Sequence, residues 1–421
     1  MPFRFIHTAD LHLDSPLASL ALRNADLGER VRSATRMALE RIVDLAIAET
    51  VDAVLIAGDL YDGSQTSMAT ALFLMEQMRR LDQAGIRVYL IRGNHDAQSQ
   101  ITRELTFPPN VHVFDGRGKP VLAGRLAGGR EVHVHGISFA QPHAPSSLLP
   151  SFRAPVADAV NIGLLHTSLA GASRHDPYAP CSAAELEAHG FDYWALGHIH
   201  QRRVHREKPW IVMAGNPQGR DINENGPKSV TLATVADDGG IACEERPVAI
   251  AVFERLTVDI AGVADWREML ERAEAALAAG RQAAGAPLIG RLTLSGATPL
   301  AWRLRRDEDL VVGELQNLAA SLEECWVEAA ELAVTAPDDE RTDMAGPVAE
   351  LGRLMREDVV QAHAYREDLR GMLADLLRQL PREARALLAA DEAAEDALLD
   401  DIVTDGCAAV LARLGAEGAE G

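Results

Sequence analysis

The sequence predicts an α/β chain in three parts: a layered domain over residues 1–250, a small α+β domain over 251–335, and a linker with a C-terminal helical arm over 336–421. Two observations carry this. Up to about residue 235, short β-branched runs alternate with segments of helical spacing, the pattern of a layered α/β domain. Charge and histidine are also divided: residues 251–421 hold 17 Arg, no Lys and 34 Asp or Glu, a net of −17, against −4 before them, and 13 of the 14 His precede residue 250. Chemistry is expected at the front, and solvation or partner contacts at the back.

Strands are expected at Phe3–His7, Ala53–Ala57, Arg87–Ile91, Glu131–Ser138, Ile162–His166, Tyr193–Leu196, Trp210–Ala214 and Val230–Val235, with helical spacing over 28–50 and 66–84. Several strands run straight into polar clusters, and ligand-bearing loops belong at the carboxyl ends of strands in such a fold. From 251 to 335 the order is strand (Glu254–Ile260), helix (Ala264–Ala279), strand (Pro287–Ser295), helix (Asp307–Leu322), strand (Trp326–Val334). Thr335–Gly346 reads as a linker. Two Ala/Leu/Glu/Arg-rich stretches follow, 347–380 and 382–415, broken at Pro381.

A net charge of −21 argues against wrapping nucleic acid by bulk electrostatics, so any contact with nucleic acid has to be local and helped by metal ions or a partner subunit. The four cysteines are widely spaced, with no Cys-x-x-Cys pair, and read as ordinary thiols in a reducing cytosol. The N-terminus shows no signal-peptide h-region, and no apolar run reaches membrane-span length, so a cytoplasmic protein is expected.

Five short elements occur in order: Asp10-Leu-His12, Gly58-Asp59-Leu-Tyr-Asp62, Gly93-Asn94-His95-Asp96, His166, and Gly197-His198-Ile-His200. Singly most are weak. Together they supply carboxylate, imidazole and amide oxygen ligands at strand ends, with no thiolate, a donor set that suits manganese or iron and does not exclude zinc. Two such ions sharing a carboxylate can clamp a phosphate, activate water and stabilise the leaving oxygen.

With these motifs the sequence resembles the calcineurin-like metallophosphoesterase superfamily and, within it, the SbcD/YhaO-type DNA repair exonucleases. The resemblance covers residues 3–235 and includes His7-Thr-Ala-Asp-Leu-His-Leu-Asp14, Tyr178-Ala-Pro-Cys181 and Gly215-Asn-Pro-Gln-Gly-Arg220. It implies a four-layer metallophosphoesterase β-sandwich flanked by helices, followed by a small α+β capping domain and the helical arm. It also implies that Asp10, His12 and His200 hold one metal and Asn94, His166 and His198 the other, with Asp59 bridging. His95 would protonate the leaving oxygen or stabilise the transition state, with Asp96 as its orienting partner. The cofactors are then two divalent ions, most readily Mn2+, and the partners DNA and an SbcC-type coiled-coil ATPase.

Other residues carry a plainer reading beside the functional one. His7 is expected in the core, and His133 and His135 on one packed or solvated strand face. His112, His143, His189 and His205 have no companions at ligand spacing. Asp62 is expected to support or cap the site rather than bind metal directly. Arg202, Arg203, Arg206 and Lys208 form a basic cluster that is either a solvated turn or a phosphate contact, and Arg92 and Arg220 are weaker candidates of that kind.

The function expected is metal-dependent hydrolysis of DNA phosphodiester bonds, as an exonuclease with single-strand endonuclease activity as a further expectation. The alternatives are a phosphatase or small-molecule phosphodiesterase, since the fold does not fix the substrate, and a DNA-binding scaffold with little hydrolysis. Ala71, Leu72, Leu74, Met75 and Met78 within Ser67–Leu81 either pack on the sheet or form a homodimer face. In the arm, Val348, Leu351, Met355, Val359, Ala362, Leu369, Leu373, Leu376 and Leu380 are expected as one apolar stripe. Leu387, Leu388, Leu398, Leu399, Ile402, Val410 and Leu411 are expected as a second, the pair offering a groove for the ATPase.

Overall fold

The computed structural model describes residues 2–15, 25–62, 67–98, 106–169, 178–337, 347–380, 385, 388–389 and 391–417. It divides into two compact units, Met1–Glu254 with Ala283–Ile289, and Arg255–Gln282 with Gly290–Gly421.

Twelve strands of the first unit make two six-stranded sheets. They are β1 (Phe3–Thr8), β2 (Ala53–Ala57), β3 (Arg87–Ile91), β4 (Val111–Val113), β5 (Val121–Arg125), β6 (Glu131–Gly136), β7 (Val160–His166), β8 (Tyr193–Gly197), β9 (Arg203–Glu207), β10 (Trp210–Met213), β11 (Ser229–Val235) and β12 (Ile241–Pro247). The orders are β12-β11-β1-β2-β3-β4 and β5-β6-β7-β8-β10-β9. The strands from β1 to β4 are parallel, as are β6, β7, β8 and β10, so both sheet centres read as continuous apolar runs.

Phe5, Leu55 and Tyr89 of the first sheet pack with Val134, Ile162 and Tyr193 of the second in one core between the sheets. On the outer face of the first sheet, Ile6, Val54 and Val88 meet Leu39 and Ile42 of α1 (Ala25–Ala48) and Leu74 and Met78 of α2 (Met68–Gln83). A short α3 (Asn94–Gln98) follows β3. On the far side, Trp194 and Ile211 pack with Leu186 of α4 (Ala183–His189), which opens with a Ser182/Glu185 capping box. The layers are thus helix, sheet, sheet, helix, a four-layer sandwich.

The strands absent from the sequence reading are β4, β5, β9 and β12, the four edges of the two sheets. Edge strands are short or polar because one side faces water, which removes the apolar run that announces a strand. The basic cluster is therefore mostly strand, β9, and two of its charges are spent: Arg206 pairs with Glu187, and Arg202 lies 3.3 Å from Glu245. In α2, Ala71, Leu74, Met75 and Met78 are buried within the unit, and only Leu72 of the five expected dimer-face residues is exposed.

The second unit is built mainly from β13 (Val252–Asp259), β14 (Leu288–Ala297) and β15 (Cys325–Thr335), in that sheet order, with α5 (Trp266–Ala284), α6 (Ala301–Arg306) and α7 (Glu308–Ser321). The arm contains α8 (Pro347–Leu354), α9 (His363–Gln379) and α10 (Glu392–Glu417). One long helix over 347–380 was the expectation. Instead a π-turn at Met355–Val359 ends α8, and α9 begins afresh at His363. Leu373 and Leu377 of α9 close on Leu399 and Val403 of α10, with Leu369, Leu380 and Leu398 beside them. Leu351, Val359 and Leu376 of the first expected stripe and Leu388, Ile402 and Val410 of the second stay exposed, so each stripe is split between a closed hairpin and a free face. The side chains of Val348 and Leu387, and Pro381, lie outside the described residues. Among the described residues no helix is long and apolar enough to cross a membrane.

His7 lies inside the first unit, with Nδ1 3.0 Å from the Tyr193 hydroxyl, and burial drives its pKa from 6.5 down to about 3. The folded chain holds this ring neutral while the unfolded chain protonates it, so its contribution is complete above pH 6.5 and is lost as pH falls toward 3. Going from pH 7 to pH 5 should cost about 2 kcal/mol at this residue alone. In urea unfolding of the metal-free protein, His7→Gln should flatten the pH dependence by that amount; an unchanged slope would mean the ring is not held neutral.

Candidate metal centre

Each side chain of the five motifs leaves the carboxyl end of a strand. Asp10 and His12 follow β1, Asp59 follows β2, Asn94 opens α3 after β3, His166 ends β7, and His198 and His200 follow β8. Asp10, His12 and His200 have donor atoms within 4.8 Å of one another, as do Asp59, His166 and His198. Asp59 lies between the groups, its Oδ2 3.3 Å from His166 Nε2 and 4.0 Å from His12 Nε2. The amide oxygen of Asn94 is 2.9 Å from His166 Nε2. The structure therefore brings together all seven residues expected to hold metal.

The loops that do this are strained. Asp10 (φ 53°), His12 (41°), Asp59 (53°) and His198 (100°) all have positive φ, a conformation costing about 1–3 kcal/mol each for such residues. Neighbouring loops hold them there: Asp10 N–H donates to Gly58 O at 3.0 Å, His12 N–H to Asp59 O at 3.2 Å, and His198 N–H to the Asp10 carboxylate at 3.0 Å. Glycine is required at two points. A Cβ on Gly93 would overlap Asp59 Oδ1, and one on Gly58 would sit 2.6 Å from His166 Nδ1.

Two of the rings, His166 and His200, are turned by an acceptor at the outer nitrogen, whereas His12 Nδ1 has no hydrogen-bond partner among the described residues. His166 Nδ1–H donates to Ala57 O at 2.9 Å, which leaves Nε2 for the pocket. Asp62 Oδ1 lies 3.8 Å from His12 Nδ1 and 3.4 Å from His95 Nδ1, and Glu224 Oε1 lies 2.7 Å from His200 Nδ1. The His95 ring, 36% exposed, stands edge-on to His12 at 5.1 Å between centroids.

Asp96 was the expected partner of His95, and the structure corrects this. Its carboxylate is fully buried and accepts the backbone N–H groups of Leu60 (3.0 Å), Tyr61 (3.3 Å) and Gly93 (3.1 Å), tying the Asp59 loop to the Asn94 loop. Asp62 occupies the place beside His95. Arg220, a weak phosphate candidate, is committed to Glu224 at 2.6 Å. Sequence reasoning missed Glu224 altogether; the only signal was an acid four residues after an arginine, just beyond Gly215–Arg220.

The electrostatics fit a cation-holding pocket. Burial raises Asp10 above the usual carboxylate range, and burial together with Asp59 pushes Asp96 up to about 7. Burial would raise Asp59 as well, but the charge and hydrogen bond of His166, then His12 and His95, hold it below the usual range. Burial would lower His166, and Asp59 instead raises it to about 9. His12 Nε2 and His200 Nε2 face each other at 3.1 Å. Ring nitrogens turned on one another beside buried carboxylates form a donor set that fits a divalent cation, and the lack of a thiolate among them fits a hard or borderline metal.

The comparisons agree with this geometry. A family model described as calcineurin-like phosphoesterase matches residues 3–202, and one described as metallophosphoesterase YhaO, middle domain, matches residues 253–335. The uncharacterized metallophosphoesterase YhaO of Bacillus subtilis is 33% identical over 321 residues, covering 76% of this chain and 77% of that protein. The chain belongs to the calcineurin-like metallophosphoesterase superfamily, in its SbcD/YhaO-type branch, a family that works with divalent metals. The DNA double-strand break repair protein Mre11 of Sulfurisphaera tokodaii is 27% identical over 221 residues, 51% of this chain and 54% of its own length. That of Haloferax volcanii is 28% identical over 264 residues, 62% and 55% respectively. The chain spans about half the length of these Mre11 relatives.

Asp96 and His95 should separate cleanly in unfolding experiments. Asp96→Ala leaves three buried N–H groups without their acceptor and should cost about 3 kcal/mol or more. His95→Ala, at a part-exposed ring, should cost under about 1 kcal/mol. Equal losses in urea denaturation would contradict the loop-tying role of Asp96.

Proposed function

We propose that this metallophosphoesterase hydrolyses phosphodiester bonds in DNA, as an exonuclease able to cut single strands, with two divalent ions, most readily Mn2+. The observation that carries it is the pair of donor groups with Asp59 between them. Asp10, His12 and His200 would hold one ion and Asn94, His166 and His198 the other, with Asp59 shared. When bound, the pair supplies Lewis acidity and lowers the pKa of a water nucleophile.

The chain does the rest. With Asp62 at the Nδ1 side of His95, Nε2 is the atom left to give a proton to the leaving oxygen, and Asp62 keeps the ring turned that way. The buried carboxylates and imidazoles are held by strained loops before substrate arrives, so little reorganisation is needed at the moment of reaction. DNA is favoured over a small phosphoester by the similarity to Mre11 proteins over half or more of the chain. With −4 over residues 1–250, contact falls to local charges such as Arg203 and Lys208.

The division of labour follows the three parts: hydrolysis in 1–250, capping in 251–335, and docking to an SbcC-type ATPase by the arm, in the cytoplasm. Met372 and Leu376, 63% and 56% exposed on α9, support the docking role because the α9–α10 contact leaves them bare.

Two experiments test this reading. Asp59→Ala should abolish Mn2+-dependent cleavage of labelled duplex and single-stranded DNA and lower bound metal, while His95→Ala should keep metal and lose about 10²–10⁴-fold in rate. Retained cleavage by the first variant, or metal loss in the second, would break the assignment of roles. Separately, Met372→Glu with Leu376→Glu should stop co-purification with the ATPase and leave hydrolysis of a chromogenic phosphodiester unchanged. Full ATPase binding by that double variant would remove the docking role.

A further inference from the structure

Glu224 lies outside the motifs that define the metal centre, yet its carboxylate is fully engaged beneath it. Oε1 accepts from His200 Nδ1 at 2.7 Å and from Arg220 Nη2 at 2.6 Å. Oε2 accepts from Asn216 Nδ2 and from the backbone N–H of Arg220, each at 2.8 Å. Donors converge on both oxygens of this carboxylate, an arrangement that suits an anion.

The proton on His200 follows from these contacts. Arg220 Nη2 also lies 3.1 Å from His200 Nδ1. If Nδ1 accepted from Arg220, its lone pair would face a carboxylate oxygen at 2.7 Å with no hydrogen between them, a repulsive contact. If Nδ1 carries the proton, that contact becomes a charge-assisted hydrogen bond, and Arg220 still has Glu224 to bind. The second arrangement wins. Nε2 then presents its lone pair on the side where His12 Nε2 lies at 3.1 Å.

We infer that Glu224, locked by Arg220 and Asn216, is the positioning residue that aims His200 Nε2 at the cation held with Asp10 and His12, and that it sets the affinity of that ion alone. The neighbouring ion does not depend on it, because His166 takes its orientation from Ala57 O. A backbone carbonyl cannot be removed by a side-chain change, whereas Glu224 can, so the two positions are separately adjustable. Arg220 is thereby assigned to the clamp rather than to phosphate. The inference rests on the two-ion reading above.

Apart from His200, the groups that bond the Glu224 carboxylate are all N–H donors, from Arg220 and Asn216. Glu224→Gln therefore opposes an NH2 group to another donor unless it turns that group to His200, which flips the imidazole and puts hydrogen on Nε2. Mn2+ alone, titrated into the full chain and followed by calorimetry and electron paramagnetic resonance, reads the consequence. Loss of such an outer partner should weaken one of the two Mn2+ sites by roughly 10–100-fold and leave the other at its wild-type affinity. In the 15N spectrum of histidine-labelled, metal-free protein, His200 should carry its proton on Nδ1 in the wild type and shift toward Nε2 in the variant. Glu224→Ala should give the same selective loss of one Mn2+ site.

Wild-type affinity at both sites in both variants would overturn the inference. So would equal weakening at both sites with a lowered melting temperature, which marks a fold-wide role. The DNA reading fails separately, by uncut DNA with both ions bound, and a selective loss in Glu224→Gln would still support the clamp.

Discussion

Keeping Asp59 ionised at a position almost closed to solvent is the constraint on which the first unit depends. A carboxylate removed from water loses solvation worth far more than a single hydrogen bond returns. Here the offset comes from His95 N–H, which donates to Oδ1 at 3.0 Å, and from His166 at 3.3 Å on Oδ2. The first contact comes from the end of β3, the neighbour of β2 in the same sheet, but the second requires the end of β7 in the other sheet to reach the β2 end, which demands two sheets packed face to face. The inter-sheet core of Phe5, Leu55, Ile162 and Tyr193 supplies the adhesion, and the polar ends of the same strands supply the site.

The loop backbone absorbs the remaining misfit. Positive φ at Asp10, His12 and Asp59 turns carboxylates and a ring into a space that extended strands would pass by. Such strain persists only where other bonds determine the geometry, and Asp96 is one source of them. By accepting from Leu60, Tyr61 and Gly93 it fixes two ligand loops at once, so a residue that touches no substrate governs where Asp59 and Asn94 point.

How far this was legible in the sequence depends on what each feature needed. Asp10, His12, Asp59, Asn94, His166, His198 and His200 stand beside strands whose apolar runs are unmistakable, so type and place were both readable. The inner eight strands of the two sheets were readable for the same reason, and the edges β4, β5, β9 and β12 were not, because solvent on one side lets Arg203, Glu207, Glu244 and Glu245 stand in them. Asp96 is next to His95 in sequence, whereas Asp62 stands in the separate motif that holds Asp59. Which of them meets the ring depends on the direction of a loop that no periodicity encodes. Glu224 was invisible because its partner His200 is 24 residues away, across β9 and β10, a separation that no local spacing encodes. In the arm, heptad-like spacing overstated continuity, since helical apolar positions persist across Met355–Val359 where the backbone changes pitch.

The charge division bears on how such a site meets an anionic polymer. In the second unit, arginines are largely matched to acids: Arg366 lies 2.5 Å from Asp400, Arg370 2.7 Å from Asp396, and Arg353 2.7 Å from Glu350 and 2.9 Å from Glu357. With 34 acids against 17 arginines after residue 250, the surplus there is negative and repels phosphate at a range set by the Debye length, about 8 Å at physiological salt. Under the proposed function, repulsion of that kind would weaken binding of an anionic polymer on this unit and leave productive contact to the first unit, where the donor groups around Asp59 would hold divalent charge. An acidic second unit would then cost affinity and raise the share of encounters that reach those donor groups.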